Sequence, residues 1–115
     1  MYNYTQIDPD KCEFVAIAGV DEIPNGERLF VEVDQEFIVV FNVAGNYYAI
    51  ADLCSHDDGP LGDGEIEEYE IACPRHGARF DVRSGEALTL PAVEGIPAYP
   101  VRVIEDQIEV GFPLE

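Results

Sequence analysis

The stretch Phe37-Ile38-Val39-Val40-Phe41 decides the fold, because it is apolar at every position and rich in β-branched and aromatic residues. Such a run is typical of a β-strand, whose side chains point alternately to the two faces of its sheet. A strand that is apolar on both faces is buried on both. We therefore predict a central strand here.

Short strand-like runs continue in both directions from this stretch. Leu29, Val31 and Val33 fall on one face of an extended chain, as a half-buried strand requires. Helical spacing is missing, and the eight prolines interrupt most candidate helices. We predict an all-β fold, in its simplest form an antiparallel meander, with strands at 14–18, 29–34, 37–43, 47–51, 67–72, 101–104 and 107–110. Hairpin turns are predicted at Pro24-Asn25-Gly26, Ala44-Gly45-Asn46 and Glu105-Asp106.

The chain is short and strongly acidic. Its 115 residues leave room for one domain, and we expect residues 1–115 to form a single one. Six Lys and Arg against 24 Asp and Glu give a formal net charge of −18, which repels phosphate backbones and anionic membrane surfaces. This charge argues against nucleic acid and membranes as partners. The first residues lack the basic and apolar regions of a secretory signal, so we expect a cytoplasmic protein.

Cysteine and histidine residues are concentrated in two loops. Residues 53–64 and 73–85 contain both histidines and two of the three cysteines, among Gly, Pro, Asp and Arg. One thiolate and one imidazole from each loop can bind either a single tetrahedral ion or a two-iron cluster. Mixed C-x-H and C-x2-H turns favour the cluster, because structural zinc sites usually pair like ligands within one short turn. The candidate ligands are Cys54, His56, Cys73 and His76.

These two loops resemble those of a known family. Residues 54–61 (CSHDDGPL) and 73–81 (CPRHGARFD) look like the two cluster boxes of the Rieske [2Fe-2S] proteins, especially the small Rieske-type ferredoxins that serve bacterial oxygenases. The similarity continues over residues 85–103, which resemble the family's proline loop and final hairpin. It implies an antiparallel β-sandwich with a small cluster-binding subdomain of two loops, here residues 52–85. It also implies one [2Fe-2S] cluster, with Cys54 and Cys73 on the buried iron and His56 and His76 on the outer iron.

The resemblance implies a one-electron carrier rather than an enzyme. An oxygenase catalytic subunit needs a further iron held by two histidines and a carboxylate, and the cluster uses both histidines of this chain. We therefore expect no catalytic residues, a flavoprotein reductase as electron donor and an oxygenase as acceptor. Two alternatives stay open: a Rieske small subunit of a nitrite-reductase-type or iron–sulfur assembly system, and a structural zinc-binding interaction module.

Residues near the two boxes lead to further expectations. The N–H groups of Gly59, Gly62 and Gly77 are candidate hydrogen-bond donors to cluster sulfides, because no Cβ prevents their approach. Cys12 stands at the head of the first long predicted strand, far from both boxes in sequence, and is expected to be a packing residue.

The resemblance also implies a low reduction potential. High-potential members of the family have a disulfide between the two boxes, where this chain has Gly59 and Arg75. They also have serine and tyrosine hydroxyls bonded to cluster sulfurs, where this chain has Ala78 and Phe80. The expected potential therefore lies near the bottom of the Rieske range of about −150 to +300 mV.

Three of the six basic residues lie close together beside the second box. They are Arg75, Arg79 and Arg83. Two uses are open for them: docking of a partner, or pairing with nearby acids such as Asp57, Asp58 and Asp81.

Overall fold

The described part of the chain forms three β-sheets with almost no helix. The computed structural model describes residues 5–54, 59–75, 77–90, 92 and 94–114. Numbered in chain order, the strands of the largest sheet are, from edge to edge, β1 (Thr5–Gln6), β9 (Pro97–Tyr99), β5 (Asn46–Ala51), β4 (Glu36–Val43) and β3 (Arg28–Val33). A second sheet has the order β10 (Val101–Ile104), β11 (Gln107–Pro113) and β2 (Cys12–Gly19), and a third has β6 (Ile66–Glu67), β7 (Glu70–Ala72) and β8 (Arg79–Asp81). Short 3-10 helices lie at Pro9–Lys11 and Val20–Glu22. Among the described residues, no helix is long and apolar enough to cross a membrane.

Strands β3, β4 and β5 form the predicted antiparallel meander. The turn between β4 and β5 places Ala44 and Gly45 at φ 55° and 90°, and the turn between β3 and β4 places Asp34 and Gln35 at φ 50° and 70°. Two consecutive left-handed residues match the twist of the flanking strands and close a tight hairpin. The predicted turn at Glu105-Asp106 has the same conformation and joins β10 to β11.

Strand β4 lies between two hydrophobic cores, and its alternating side chains belong to different ones. Ile38 and Val40 pack in a core with Ile108 of the second sheet. Val39 and Phe41 belong to the core on the opposite side. These four side chains are at most 1% exposed, whereas Phe37, at the start of the predicted stretch, is 61% exposed. The prediction of a strand buried on both faces is therefore confirmed for residues 38–41, and it is wrong for Phe37.

The core on the Val39 side contains the cysteines of both predicted boxes. It joins the five-stranded sheet to the third sheet and the loops around it. Its buried members from those loops and strands are Cys54, Leu61, Ile71, Cys73, Ala78, Phe80, Val82, Ala92 and Ile96. The molecule is thus a sandwich of the first two sheets, with a smaller third layer packed on the outer face of the five-stranded sheet.

Several sequence predictions need correction. Instead of one strand at 67–72 there are two, β6 and β7, which pair across a turn in which Glu68 has φ 56°. Pro24-Asn25-Gly26 does not close a hairpin, because β2 and β3 belong to different sheets. Strands β1, β8 and β9 were not predicted, since two or three residues are too few to show a period. The meander is also incomplete as a description, because β1 pairs with β9 in parallel.

Candidate metal centre

Two loops on the outer face of the five-stranded sheet contain the predicted ligands. The first leads from β5 to β6 and contains Cys54, and the second joins β7 to β8 and contains Cys73. The two cysteines are 0% and 2% exposed and lie in one buried cluster. The structure therefore brings these two candidate ligands together. The other two, His56 and His76, lie outside the described residues.

Each loop closes on its own cysteine by the same backbone hydrogen bond. The Cys54 N–H donates to the Gly59 carbonyl at 2.8 Å, and the Cys73 N–H donates to the Ala78 carbonyl at 2.7 Å. Donor and acceptor are equally far apart in sequence in the two loops, so each cysteine lies at the neck of a turn of the same size. In the sequence, the histidine of each predicted box lies between the two residues that this bond joins.

Two oppositely charged side chains fix the first loop to the five-stranded sheet. Oδ1 of Asp52, directly after β5, accepts the N–H groups of Leu61 at 2.9 Å and Gly62 at 2.6 Å. Nη1 of Arg28, at the start of β3, donates to the carbonyls of Gly62 and Gly64, to the latter at 2.7 Å. The turn at 61–64 is thus held at its N–H groups by one side chain and at its carbonyls by the other. We call this arrangement the Asp52–Arg28 clamp.

The second loop is held mainly by contacts within its own hairpin. Strands β7 and β8 pair in antiparallel fashion, which makes residues 73–78 the hairpin turn. Gly77 has φ 75°, and its N–H donates to the Cys73 carbonyl at 2.9 Å. Just after the turn, the Arg79 N–H donates to the hydroxyl oxygen of Thr89 at 3.0 Å. No distant charged side chain is among these contacts of the described residues.

A close backbone approach connects the first loop to the strand that leads into the second. A Cβ added to Gly64 would lie 1.8 Å from the carbonyl oxygen of Ala72, so only glycine fits at this position. The Ala72 N–H in turn donates to the Glu65 carbonyl at 2.9 Å. The end of the first loop therefore lies directly against β7.

The expected roles of two glycines are corrected by these contacts. The N–H of Gly62 donates to Asp52 and that of Gly77 to the Cys73 carbonyl, so both are engaged within the chain. Neither N–H is therefore available as the predicted donor to a cluster sulfide. Neither Asp52 nor Arg28 was predicted to have a role, although an acid just before the first box was a visible signal.

Arg83 and Arg79, beside the second box, pair with acids of this chain. Nη2 of Arg83 lies 2.8 Å from Oδ2 of Asp81, and its Nε donates to Oδ1 of the same carboxylate. Burial raises the pKa of Asp81, but hydrogen bonds and charge from Arg83 outweigh it and hold this pKa below its ordinary value. Arg79 lies 3.5 Å from Glu67 and 3.8 Å from Glu70. Pairing with Asp81 is thus confirmed for Arg83. The other two acids predicted for such pairs, Asp57 and Asp58, lie outside the described residues.

Cys12 lies apart from both loops. It begins β2 in the second sheet, and its thiol donates to the Asp8 carbonyl at 3.3 Å. Burial, followed by the charge of Asp8, raises the pKa of this thiol above its ordinary value. A protonated, half-buried thiol is a poor metal ligand, which agrees with the expected packing role.

Most of the chain matches a family of known proteins. Residues 13–100, which include both loops, match the sequence profile of the Rieske [2Fe-2S] domain. The chain belongs to the Rieske [2Fe-2S] family. The resemblance of the two boxes to Rieske proteins is thereby confirmed, and with it the antiparallel β-architecture expected for such a protein.

Relatives of this Rieske chain include ferredoxins of dioxygenase systems. It is 42% identical over 100 residues to the ferredoxin component of the naphthalene 1,2-dioxygenase system of Pseudomonas aeruginosa, covering 87% of this chain and 96% of the relative. It is 39% identical over 90 residues to the ferredoxin component of the naphthalene 1,2-dioxygenase/salicylate 5-hydroxylase systems of a Ralstonia species, covering 78% and 86%.

Solved structures show the same fold. The ferredoxin of carbazole 1,9a-dioxygenase from Nocardioides aromaticivorans IC177 has a TM-score of 0.80 and 36% identity, covering 84% of this chain and 95% of that one. A protein of Mycobacterium tuberculosis described as the small subunit of an NADH-dependent nitrite reductase also has a TM-score of 0.80, covering 90% of this chain and 98% of that one. Its identity is only 20%, so it shares the fold alone.

Proposed function

We propose that this Rieske protein is the ferredoxin component of an oxygenase system, a one-electron carrier with one [2Fe-2S] cluster. One observation carries the proposal: Cys54 and Cys73 lie in a single buried cluster, each at the neck of a turn of the same size. The two relatives described above, matched over 86% and 96% of their own length, are ferredoxin components. The nitrite-reductase-type alternative has only a shared fold in its favour.

The residues at the two necks fit a [2Fe-2S] cluster. The two cysteines are buried among apolar side chains that include Leu61, Ile71 and Phe80. A thiolate in such surroundings is stabilised only when a nearby cation compensates its charge. Two ferric ions with two sulfides carry a net charge of +2, which two thiolates neutralise while imidazoles add no charge. A buried apolar site suits this neutral sum.

We assign Cys54, His56, Cys73 and His76 as the four protein ligands, within a cluster-binding subdomain formed by residues 52–85 of the single domain. When bound, the cluster supplies a centre that takes up and releases one electron. The chain's own residues exclude water from the two cysteines and hold the loops in place. In the first loop the Asp52–Arg28 clamp does this, and in the second the β7–β8 hairpin does.

Catalysis, in this proposal, takes place in a partner protein. Two histidines cannot supply both the cluster and a separate iron site of two histidines and a carboxylate. A flavoprotein reductase is the proposed donor and an oxygenase the proposed acceptor. The net charge of −18 supports docking to a basic surface on such a partner. The cytoplasm is the proposed location.

Iron and sulfide analysis of the purified protein tests the cluster. We expect about two irons and two acid-labile sulfides per chain and a red-brown colour, whereas a colourless zinc protein would refute the assignment. Replacing any one of the four proposed ligands with alanine should abolish the EPR signal of the reduced protein. Cys12→Ser is the matched control and should retain the signal, so its loss there would overturn the ligand set.

Reoxidation kinetics test the partner. The reduced protein is mixed with a terminal oxygenase of the naphthalene dioxygenase type or with the catalytic subunit of an NADH-dependent nitrite reductase, and its visible absorbance is followed. Faster reoxidation by the oxygenase is expected. Faster reoxidation by the nitrite reductase would favour the alternative.

A further inference from the structure

Arg75 of the second loop reaches across to the first loop. Its Nη1 donates to the carbonyl of Pro60 at 2.7 Å, although the side chain is otherwise exposed. Its guanidinium also lies against the backbone of Gly59, because a Cβ built on Gly59 would be 2.7 Å from Nη2, 2.8 Å from Cζ and 3.1 Å from Nε. One arginine thus makes both a hydrogen bond and a flat contact to consecutive residues of the other loop.

The residues that Arg75 contacts are those that close the first loop. The Gly59 carbonyl accepts the N–H of Cys54 at 2.8 Å, so Gly59 forms one side of the neck on which that cysteine sits. Arg75 itself lies within the turn that the Cys73 N–H closes on Ala78. The contact therefore joins the neck of one turn to the interior of the other.

The chemistry of this contact requires arginine at one position and glycine at the other. A guanidinium can lie flat against a backbone and donate from its edge at the same time, whereas a lysine ammonium is a compact charge that cannot do both. At Gly59, φ lies outside the left-handed region, so its backbone would accept alanine. The space occupied by the guanidinium is what excludes a Cβ there.

We propose that Arg75 is a positioning residue that ties the two loops together and slows their separation. On the proposed function, this separation opens the space between the cysteine-bearing turns and releases the cluster. An exposed arginine at this position would also be suited to docking a partner, but its hydrogen bond and its contact with Gly59 commit it to the chain's own first loop.

The first test compares Arg75→Leu and Arg75→Lys with the wild-type protein as purified, in the absence of any partner. The readout is the rate at which the visible absorbance of the cluster decays in excess chelator. We expect Arg75→Leu to raise this rate about three- to tenfold, as the loss of one exposed charged hydrogen bond would, and Arg75→Lys to restore only part of it. Arg102→Leu is the control for charge, because Arg102 is an exposed arginine paired with Glu109 in the second sheet. Its rate should match the wild type.

The second test uses the contact between Arg75 and Gly59. Gly59→Ala should accelerate cluster loss in the wild-type background, because the new Cβ displaces the guanidinium. In the Arg75→Leu background the same substitution should have no further effect, since the leucine side chain has no atoms where Nη2, Cζ and Nε lay. If Gly59→Ala raised the rate of cluster loss by the same factor in both backgrounds, the proposed tie between the two loops through Arg75 would be overturned.

Amide hydrogen exchange separates this proposal from the proposed function. Arg75→Leu should speed exchange at the N–H of Cys54, in the loop opposite to the substitution, whether or not the purified protein holds iron. A wild-type protein without iron would refute the proposed function. The exchange rate at Cys54 would still test whether Arg75 ties the two loops together. If Arg75→Leu left the exchange rate at the Cys54 N–H unchanged, the proposed tie would be refuted, even in a protein with a full cluster.

Discussion

The two cysteine-bearing loops close turns of the same size by the same backbone hydrogen bond, but they are anchored to the rest of the chain by different means. In the first loop, Arg28 bonds to carbonyls that lie 34 and 36 positions further along the chain, and Asp52 bonds to N–H groups 9 and 10 positions away. In the second loop, the turn at 73–78 is closed by hydrogen bonds between its own residues. Local contacts form early and at low entropic cost, whereas distant ones require the surrounding sheet. The geometry of the first loop is therefore a property of the whole fold, and that of the second is largely its own.

The largest difference between the loops is expected in the free energy of unfolding that is lost when a glycine of each loop is replaced with alanine. Gly64→Ala would place a Cβ 1.8 Å from the backbone oxygen of Ala72, and we expect it to lower the free energy of unfolding by roughly 3 kcal/mol. A Cβ on Gly77 meets no atom within 4 Å among the described residues outside its chain neighbours, so for Gly77→Ala we attribute a cost of about 1 kcal/mol to the φ of 75°. Urea denaturation of the two variants measures both values. Equal losses would show that the first loop is no more constrained than the second.

The next largest difference in unfolding free energy between the two loops is expected for the side chains that anchor them. Asp52→Ala leaves two N–H groups of the first loop without their carboxylate, and we expect a loss of about 2–3 kcal/mol. Thr89→Val removes one neutral hydrogen bond beside the second loop and should cost about 1 kcal/mol. Thermal unfolding of both variants tests this order. Asp52→Asn is the control, because it keeps an acceptor oxygen and should recover part of the loss.

A third substitution, in the second loop, is expected to change the reduction potential without unfolding the protein. Ala78 is fully buried at the end of that loop, where a hydroxyl could be added at little volume. By protein-film voltammetry at pH 7, the wild-type potential should lie below about −100 mV. Ala78→Ser should raise it by tens of millivolts if the hydroxyl bonds to a cluster sulfur, because such a bond stabilises the reduced state. A wild-type potential above about +100 mV would contradict the oxygenase-ferredoxin assignment.

Alkaline pH should loosen the sheet under the first loop, with a smaller effect. The hydroxyl of Tyr99 on β9 donates to Glu36 on β4 at 2.8 Å. Burial, and then this carboxylate, raises the pKa of Tyr99 above its ordinary value of about 10. A raised folded-state pKa gives stability that is complete below about pH 10 and declines as the pH rises further. The unfolding free energy of Tyr99→Phe should therefore fall less steeply than that of the wild type between about pH 9 and pH 11.

The same pH range tests the difference between the loops. If the first loop depends on the sheet, amide exchange at Leu61 should accelerate above about pH 10 more than exchange at Gly77, after correction for the intrinsic pH dependence. Parallel acceleration at both amides would indicate that the two loops respond to the sheet alike.

The sequence predicted what depends on local pattern. The two-sided burial of residues 38–41 on β4 and the turns at Ala44-Gly45 and Glu105-Asp106 follow from residue type and spacing. The burial of Cys54 and Cys73 was implied by the resemblance of the two boxes to a known family. The turn at Asp34-Gln35 was missed because the predicted strand at 29–34 included Asp34, and its positive φ values come from the pairing of its flanking strands.

The clamp and the Arg75 contact could not be predicted, for a different reason. The first loop is bonded through its backbone groups to the side chains of Asp52, Arg28 and Arg75. Every residue has such backbone groups. The backbone partner, whether a donor N–H or an acceptor carbonyl, therefore leaves no mark in the sequence. The sequence singled out Gly59 and Arg75 for other reasons, and their contact became visible only in the structure.

The two-sided strand β4 has a consequence for engineering. Neighbouring residues on it, such as Val39 and Val40, contact separate compartments, one shared with the cysteines and one with the second sheet. Substitutions at Ile38 and Val40 can therefore be screened for thermal stability while the core that contains the two cysteines keeps its side chains. Substitutions at Val39 and Phe41 would alter that lining while the second sheet keeps its own packing. A single strand thus offers two independent sets of design positions, interleaved residue by residue.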